Sequence, residues 1–162
     1  MHDLALWIEG TSLSKALFDT PWLWPLCESL HFIGLAALIG GAGLLDLRLL
    51  GFFRGIPIRD IKAFMPFAIG GFVVNVITGL LFIVMQAHLY LTGPVWWFKM
   101  GFIGLAGLNA MFFETRLSQQ ALTLDNEADT PLSMKIVGGL SLFSWFAALY
   151  LGRMLPYLGT GN

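Results

Sequence analysis

Ionisable side chains are scarce in this chain of 162 residues. Asp, Glu, Lys and Arg make up 12% of it, about half the share found in a typical soluble domain. Neither sign dominates, with 9 basic against 10 acidic residues, so no basic face is present to hold a nucleic acid backbone. The single cysteine, Cys27, excludes an internal disulfide and any multi-cysteine zinc or iron–sulfur site. No repeat of fixed period and no low-complexity tract is visible. What is plentiful is apolar: 57% of residues are hydrophobic, 14% are aromatic and 19 are glycine. A globule this small has too little polar surface to clothe such a composition, so lipid must solvate most of its side chains. The length is that of one domain.

The sequence predicts an all-α integral membrane four-helix bundle. Asp19-Thr20-Pro21 carries a capping threonine and a proline suited to a helix start, and the first span is expected over 21–50. A polar turn follows, then a second block over 63–91, stopped by Thr92-Gly93-Pro94. The third, 95–113, opens on the Trp96-Trp97 anchor and closes at Glu114-Thr115-Arg116. Residues 117–133 read as a hydrated loop, and the fourth span is expected over 134–155. Together these make a transmembrane domain over 21–156 with a tail at 157–162. Residues 1–20 read as a short amphipathic segment lying along the interface, on the strength of Leu13, Leu17 and Phe18 alternating with Ser14 and Lys15.

Lys and Arg flanking the spans are retained on the cytoplasmic side. Arg48, Arg54, Arg59, Lys62, Arg116 and Lys135 lie at one end of the spans, against Lys15, Lys99 and Arg153 at the other. This asymmetry predicts a multi-pass protein of a bacterial inner membrane with both termini periplasmic.

An ionisable group within a span costs roughly 2.5–3.5 kcal/mol to insert at its centre, so each one calls for a reason. His31 in the first span and His88 near the outer end of the second fall in the same leaflet, on helices joined by a short turn. If they face each other, they form a bis-histidine haem b site, with His31 and His88 as metal ligands. Gly34, Phe32, Phe82 and Met85 would line the macrocycle, while Lys99 and Arg153 would neutralise its propionates. Against this stands a plainer reading, in which His31 only hydrogen-bonds within the bundle and His88 is an interfacial residue. A copper or zinc site from Cys27 and His31, with Glu28 and Met85 or Met100, is a further alternative. Another takes Glu28, His31, Gln86 and Lys99 as a proton path or small-solute pocket. At the inner end, Asp46 is expected to pair with Arg116 or Lys62, and Arg48 to reach the headgroups. Asn75, Asn109, Ser141 and Ser144 are expected to make interhelical hydrogen bonds.

The pattern Glu28-x-x-His31-x-x-Gly34, then Asp46-Leu-Arg-Leu-Leu-Gly51, Thr78-Gly79 and Trp97-Phe-Lys99, resembles a family of small four-helix bacterial inner-membrane proteins. More loosely, over residues 21–115, it is similar to the membrane domain of copper resistance protein D and to the HemJ-type protoporphyrinogen oxidases. The second resemblance implies haem b binding at His31 and a matching lysine at Lys99, and carries over at those two positions alone. Leu38 and its neighbours stand where a tryptophan would be expected, and the copper protein's doubled histidines have no counterpart.

The expected function is therefore a b-type cytochrome without a catalytic residue of its own. It would pass electrons between a periplasmic partner and the quinone pool or another subunit, alone or as a homo-oligomer. A non-catalytic membrane subunit that docks or stabilises a larger complex is one alternative, and a HemJ-like porphyrinogen oxidase is another.

Overall fold

The structure, a computed structural model, describes residues 1–125 and 128–158. Among them there are helices and no strand. Two short helices, α1 (His2–Glu9) and α2 (Ser12–Phe18), precede α3 (Leu23–Leu49). Then come α4 (Ile58–Lys62), α5 (Met65–Met85), α6 (Ala87–Leu91) and α7 (Pro94–Phe112). A π-helical turn (Phe113–Leu117) joins α7 to α8 (Ser118–Leu122), and α9 (Leu132–Leu158) completes the described chain. Four segments are long and apolar enough to cross a membrane: Leu23–Leu49, Ile58–Met85, Pro94–Leu122 and Leu132–Leu158. Each spans about 40 Å at 1.5 Å per residue. Large apolar side chains such as Phe67, Ile33 and Phe143 lie open on their outer faces, the surface that lipid covers. The chain is a multi-pass membrane protein built as an all-α four-helix bundle.

The bundle consists of two antiparallel hairpins, α3 with α5 and α7 with α9, joined along α3 and α9. Lipid-like side chains gain little from meeting each other in a bilayer, so close backbone approach and interhelical hydrogen bonds hold such helices together. One face of α3 provides the approach. Cys27, His31, Gly34, Leu38, Gly41 and Leu45 recur at three- and four-residue spacing and so share that face, which packs on α5. A Cβ on Gly34 would come within 2.8 Å of the Gly71 carbonyl oxygen, and one on Gly41 within 2.9 Å of the Ala68 Cβ. Between α3 and α9 the tight point is Gly138, where a Cβ would meet the Asp46 carbonyl oxygen at 2.7 Å. Asn109 of α7 donates from Nδ2 to the Val137 carbonyl of α9 at 2.9 Å, buried. Asp46 meets Ser141 across the α3–α9 seam, whereas Asn75 and Ser144 donate to carbonyls of their own helices.

Three boundaries differ from expectation. The second span ends at Met85 because Gln86 leaves helical geometry, with φ -140° and ψ 59°, so His88 belongs to the separate helix α6. The third span runs on through the π-helical turn to Leu122, because Leu117 and Ala121 have a buried core to cover. The expected hydrated loop thus shrinks to the stretch before α9, and its Asn126 and Glu127 lie outside the described residues, as does the tail beyond Leu158. Finally, the N-terminal segment is two helices. Ala5 is fully buried, and Ser14 donates to the Val84 carbonyl at 2.7 Å. Leu4, Leu6, Trp7, Leu13 and Phe18 stay open on the other side, as an interfacial helix pair requires.

The end of the bundle where α3 meets α4 carries a core of Leu45, Leu49, Ile58, Ile61, Phe113, Leu117, Met134 and Val137, bound by polar links. Lys62 pairs with Glu114 at 2.9 Å and donates to Ser118 at 2.6 Å, so it is not the partner of Asp46. Asp129 takes both Arg54, at 3.0 Å, and Lys135, at 2.8 Å. These links hold Asp129 below its ordinary carboxylate value, the Lys135 hydrogen bond being the largest cause. Arg48 does not reach the headgroups: it is buried and donates to the Ile56 and Arg54 carbonyls at 3.0 and 3.3 Å. Positive φ at Gly51 and Phe53 turns the 51–57 loop back over the end of α3 and brings those carbonyls to the guanidinium.

Candidate functional site

His31 sits in the α3–α5 seam, eight residues from the start of α3, or roughly 12 Å along the helix. Its Nδ1 lies 2.7 Å from Thr78 Oγ1. The threonine hydroxyl has one proton, which it directs to the Val74 carbonyl at 2.8 Å. With its proton on the Val74 carbonyl, the hydroxyl oxygen can accept from Nδ1–H, the tautomer that leaves the Nε2 lone pair for a ligand. Nε2 has no hydrogen-bond partner among the described residues. A ring held through one nitrogen with the other free is the arrangement that orients a metal-ligating histidine. The Phe82 ring packs beside it at 5.5 Å.

Lys99 is the second unusual group. It lies five residues into α7, half-buried, with its side chain along α9, where a Cβ on Gly152 would stand 3.4 Å from its Nζ. It makes no ion pair among the described residues. An unpaired ammonium within a span calls for an anion.

The sequence and fold match no family model, no curated protein and no solved structure.

The other expected site residues are placed as follows. Phe82 and Met85 are buried with Cys27 in one cluster where the start of α3 meets the end of α5. Gly34 is filled by the Gly71 backbone, so its small size serves helix packing and provides no wall for a ligand. Phe32 is 58% exposed and faces outward. Arg153 is exposed, with its guanidinium over the Tyr157 ring at 5.6 Å.

The two imidazoles address different neighbours. The His88 backbone N–H donates to Glu9 Oε1 at 2.8 Å, its Nδ1 lies 3.2 Å from Thr92 Oγ1, and its ring packs on His2 at 5.1 Å. The break at Gln86 is the reason, since it re-aims the chain toward α1 before His88 is reached. Cys27, His31 and Glu28 do not form a group of metal ligands: no cluster of three or more His, Cys, Asp or Glu side chains is present among the described residues.

Thr78 was missed as a site residue in the sequence reading. It falls seven residues from Gly71 on α5, the interval that separates Gly34 from its own face-mate Gly41 on α3. That spacing was available as a signal. Tyr90 was missed too. Burial, helped by the nearby Glu28 carboxylate, pushes its phenol up to about 12, and its ring stacks on Phe82 at 6.4 Å.

Proposed function

We propose that the protein is a membrane-embedded b-type haem protein that transfers electrons between a periplasmic partner and the quinone pool or another subunit. In this reading His31 is the axial ligand that the chain supplies. The observation that carries it is the 2.7 Å contact of His31 Nδ1 with Thr78 Oγ1, which anchors the ring and leaves Nε2 without a partner among the described residues. The donor chemistry fits the group: a neutral imidazole for the iron and, in Lys99, a cation for a propionate. Haem supplies one-electron chemistry when bound. The chain's own part is to orient the imidazole through Thr78, to supply the Lys99 charge from α7, and to exclude water with Phe82 and the surrounding apolar side chains. His88, held on Glu9, Thr92 and His2, is left out of the ligand set, and so is Arg153.

The location that goes with this reading is a bacterial inner membrane with both termini periplasmic, since the Arg54, Lys62 and Lys135 end carries the basic excess. His31, Lys99 and α6 then occupy the periplasmic leaflet.

A second reading is a porphyrinogen oxidase of the HemJ type. What favours it is that the resemblance carries over at His31 and Lys99, a histidine and an ion-pair-free lysine that both lie within spans. Oxidation of protoporphyrinogen by the purified protein with added quinone separates the two. Both require haem, so expression with a haem precursor followed by a pyridine haemochrome assay tests them together. A colourless protein that copurifies with a larger assembly and tolerates His31→Leu would instead identify a non-catalytic membrane subunit.

A further inference from the structure

The break in α5 leaves a cavity at the outer surface of the bundle. It has a volume of about 310 Å³ and is lined by Leu17, Phe18, Trp24, Met85 and Gln86 among others, at the lower end of the size range of small-molecule sites. Its walls come from α2, the start of α3 and the residues where α5 stops, so it exists because the helix stops at Met85. A second cavity of about 270 Å³ shares Phe18, Met85 and Gln86 with the first and is bordered by Glu9, Lys15 and Asp19. The two adjoin as one open cleft of mixed polar and apolar lining, with Glu9, Lys15 and Asp19 along its rim.

The polar groups in the cleft are specific in kind. Both Trp24 and Gln86 are half-buried. Neither the indole N–H of Trp24 nor the side-chain amide of Gln86 has a hydrogen-bond partner among the described residues. Two unpartnered N–H donors against apolar and aromatic walls suit a flat, uncharged molecule carrying acceptor oxygens. The rim, with two carboxylates to one ammonium, disfavours an anionic phosphate headgroup. At this depth, beside exposed Trp22 and Phe18, an apolar tail would pass straight into lipid.

We propose that this cavity binds the headgroup of a membrane quinone, with Trp24 and Gln86 donating to its carbonyl oxygens. The cavity is joined to His31 by ring contacts: Trp24 packs on Phe82 at 5.1 Å, and Phe82 packs on His31 at 5.5 Å. The binding site stands on the cavity alone, whereas its role as the place where electrons meet the quinone pool rests on the haem reading above.

The test is photolabelling of the full-length protein in phosphatidylcholine nanodiscs with an azido-benzoquinone, decylubiquinone serving as competitor and mass spectrometry locating the label. Label on α2, the start of α3 or residues 85–90, displaced saturably by decylubiquinone, is the expected result. Gln86→Leu and Trp24→Phe should each weaken that displacement about tenfold, the loss of roughly one well-made hydrogen bond. Label elsewhere, or label that excess phosphatidylcholine displaces as well as decylubiquinone does, overturns the proposal. Because the readout is a mass and not a haem spectrum, the two readings fail separately. Saturable labelling of a haem-free protein upholds this site and removes the cytochrome. A haem-loaded protein without labelling removes this site alone.

Discussion

His31 takes its role from Thr78. Without the threonine oxygen, nothing fixes which ring nitrogen carries the hydrogen, so Thr78→Val should leave the fold intact and weaken haem retention roughly 10- to 100-fold, the usual cost of losing a group that orients a ligand. Titration of apoprotein with haem, followed at the Soret band, measures this, and Thr78→Ser should restore it. At this scale the sequence was legible in part. His31 and Lys99 could be singled out because charge and imidazole are rare in lipid. His88 could not be placed, because its surroundings depend on a backbone break at Gln86 that no strong breaker residue announces. Phe32 was chosen for its nearness in sequence to His31, but a neighbour one residue away on a helix points about 100° aside and here meets lipid.

For the helices, contact between α3 and α5 depends on the absence of side chains at Gly34 and Gly71. Leucine at Gly71 would have to enter the backbone of α3, where even a Cβ comes too close to the Gly34 carbonyl oxygen. Gly71→Leu should therefore destabilise the folded protein by about 1–3 kcal/mol or more, seen as a lower unfolding temperature in detergent. Gly70→Leu, at a position where a Cβ meets nothing within 4 Å, should leave it unchanged. The four spans and their rough limits could be read from hydropathy and from the Pro, Gly and Trp punctuation. Which glycines of α3 face a neighbour was not read: Gly34 was expected to line a ligand, whereas Gly34 and Gly41 meet α5 and Gly40 meets nothing within 4 Å. The extension of the third span to Leu122 could not be read, since the polar residues around it looked like a loop, and only the buried core beneath explains the helix.

Across the whole molecule, the end that holds Arg54, Lys62 and Lys135 is closed by a packed core and ion pairs, while the chemistry proposed here lies toward the other end of the bundle. Asp129, held low by Lys135 and Arg54, joins the 51–57 loop to the start of α9. Its folded-state value lies below the ordinary 3.8, so on acidification the unfolded chain takes up the proton first. The stabilising link is thus fully present above the ordinary carboxylate range and is lost as pH falls through the folded value. Unfolding of wild type and Asp129→Asn should differ at pH 7 and converge only as pH falls below the ordinary carboxylate range, a difference that high salt should shrink. The same basic end should be cytoplasmic. A single cysteine introduced at position 54 in a Cys27→Ala background should resist a membrane-impermeant maleimide in intact cells, while one at position 15 should react.

The most direct test of the central claim is the dithionite-reduced minus oxidised absorption spectrum of the purified protein, expressed with a haem precursor, beside that of His31→Ala. The account predicts Soret and α bands in the wild type, a pyridine haemochrome of haem b, and neither in the variant. A wild type without these bands, or a His31→Ala protein that keeps them undiminished, would contradict it.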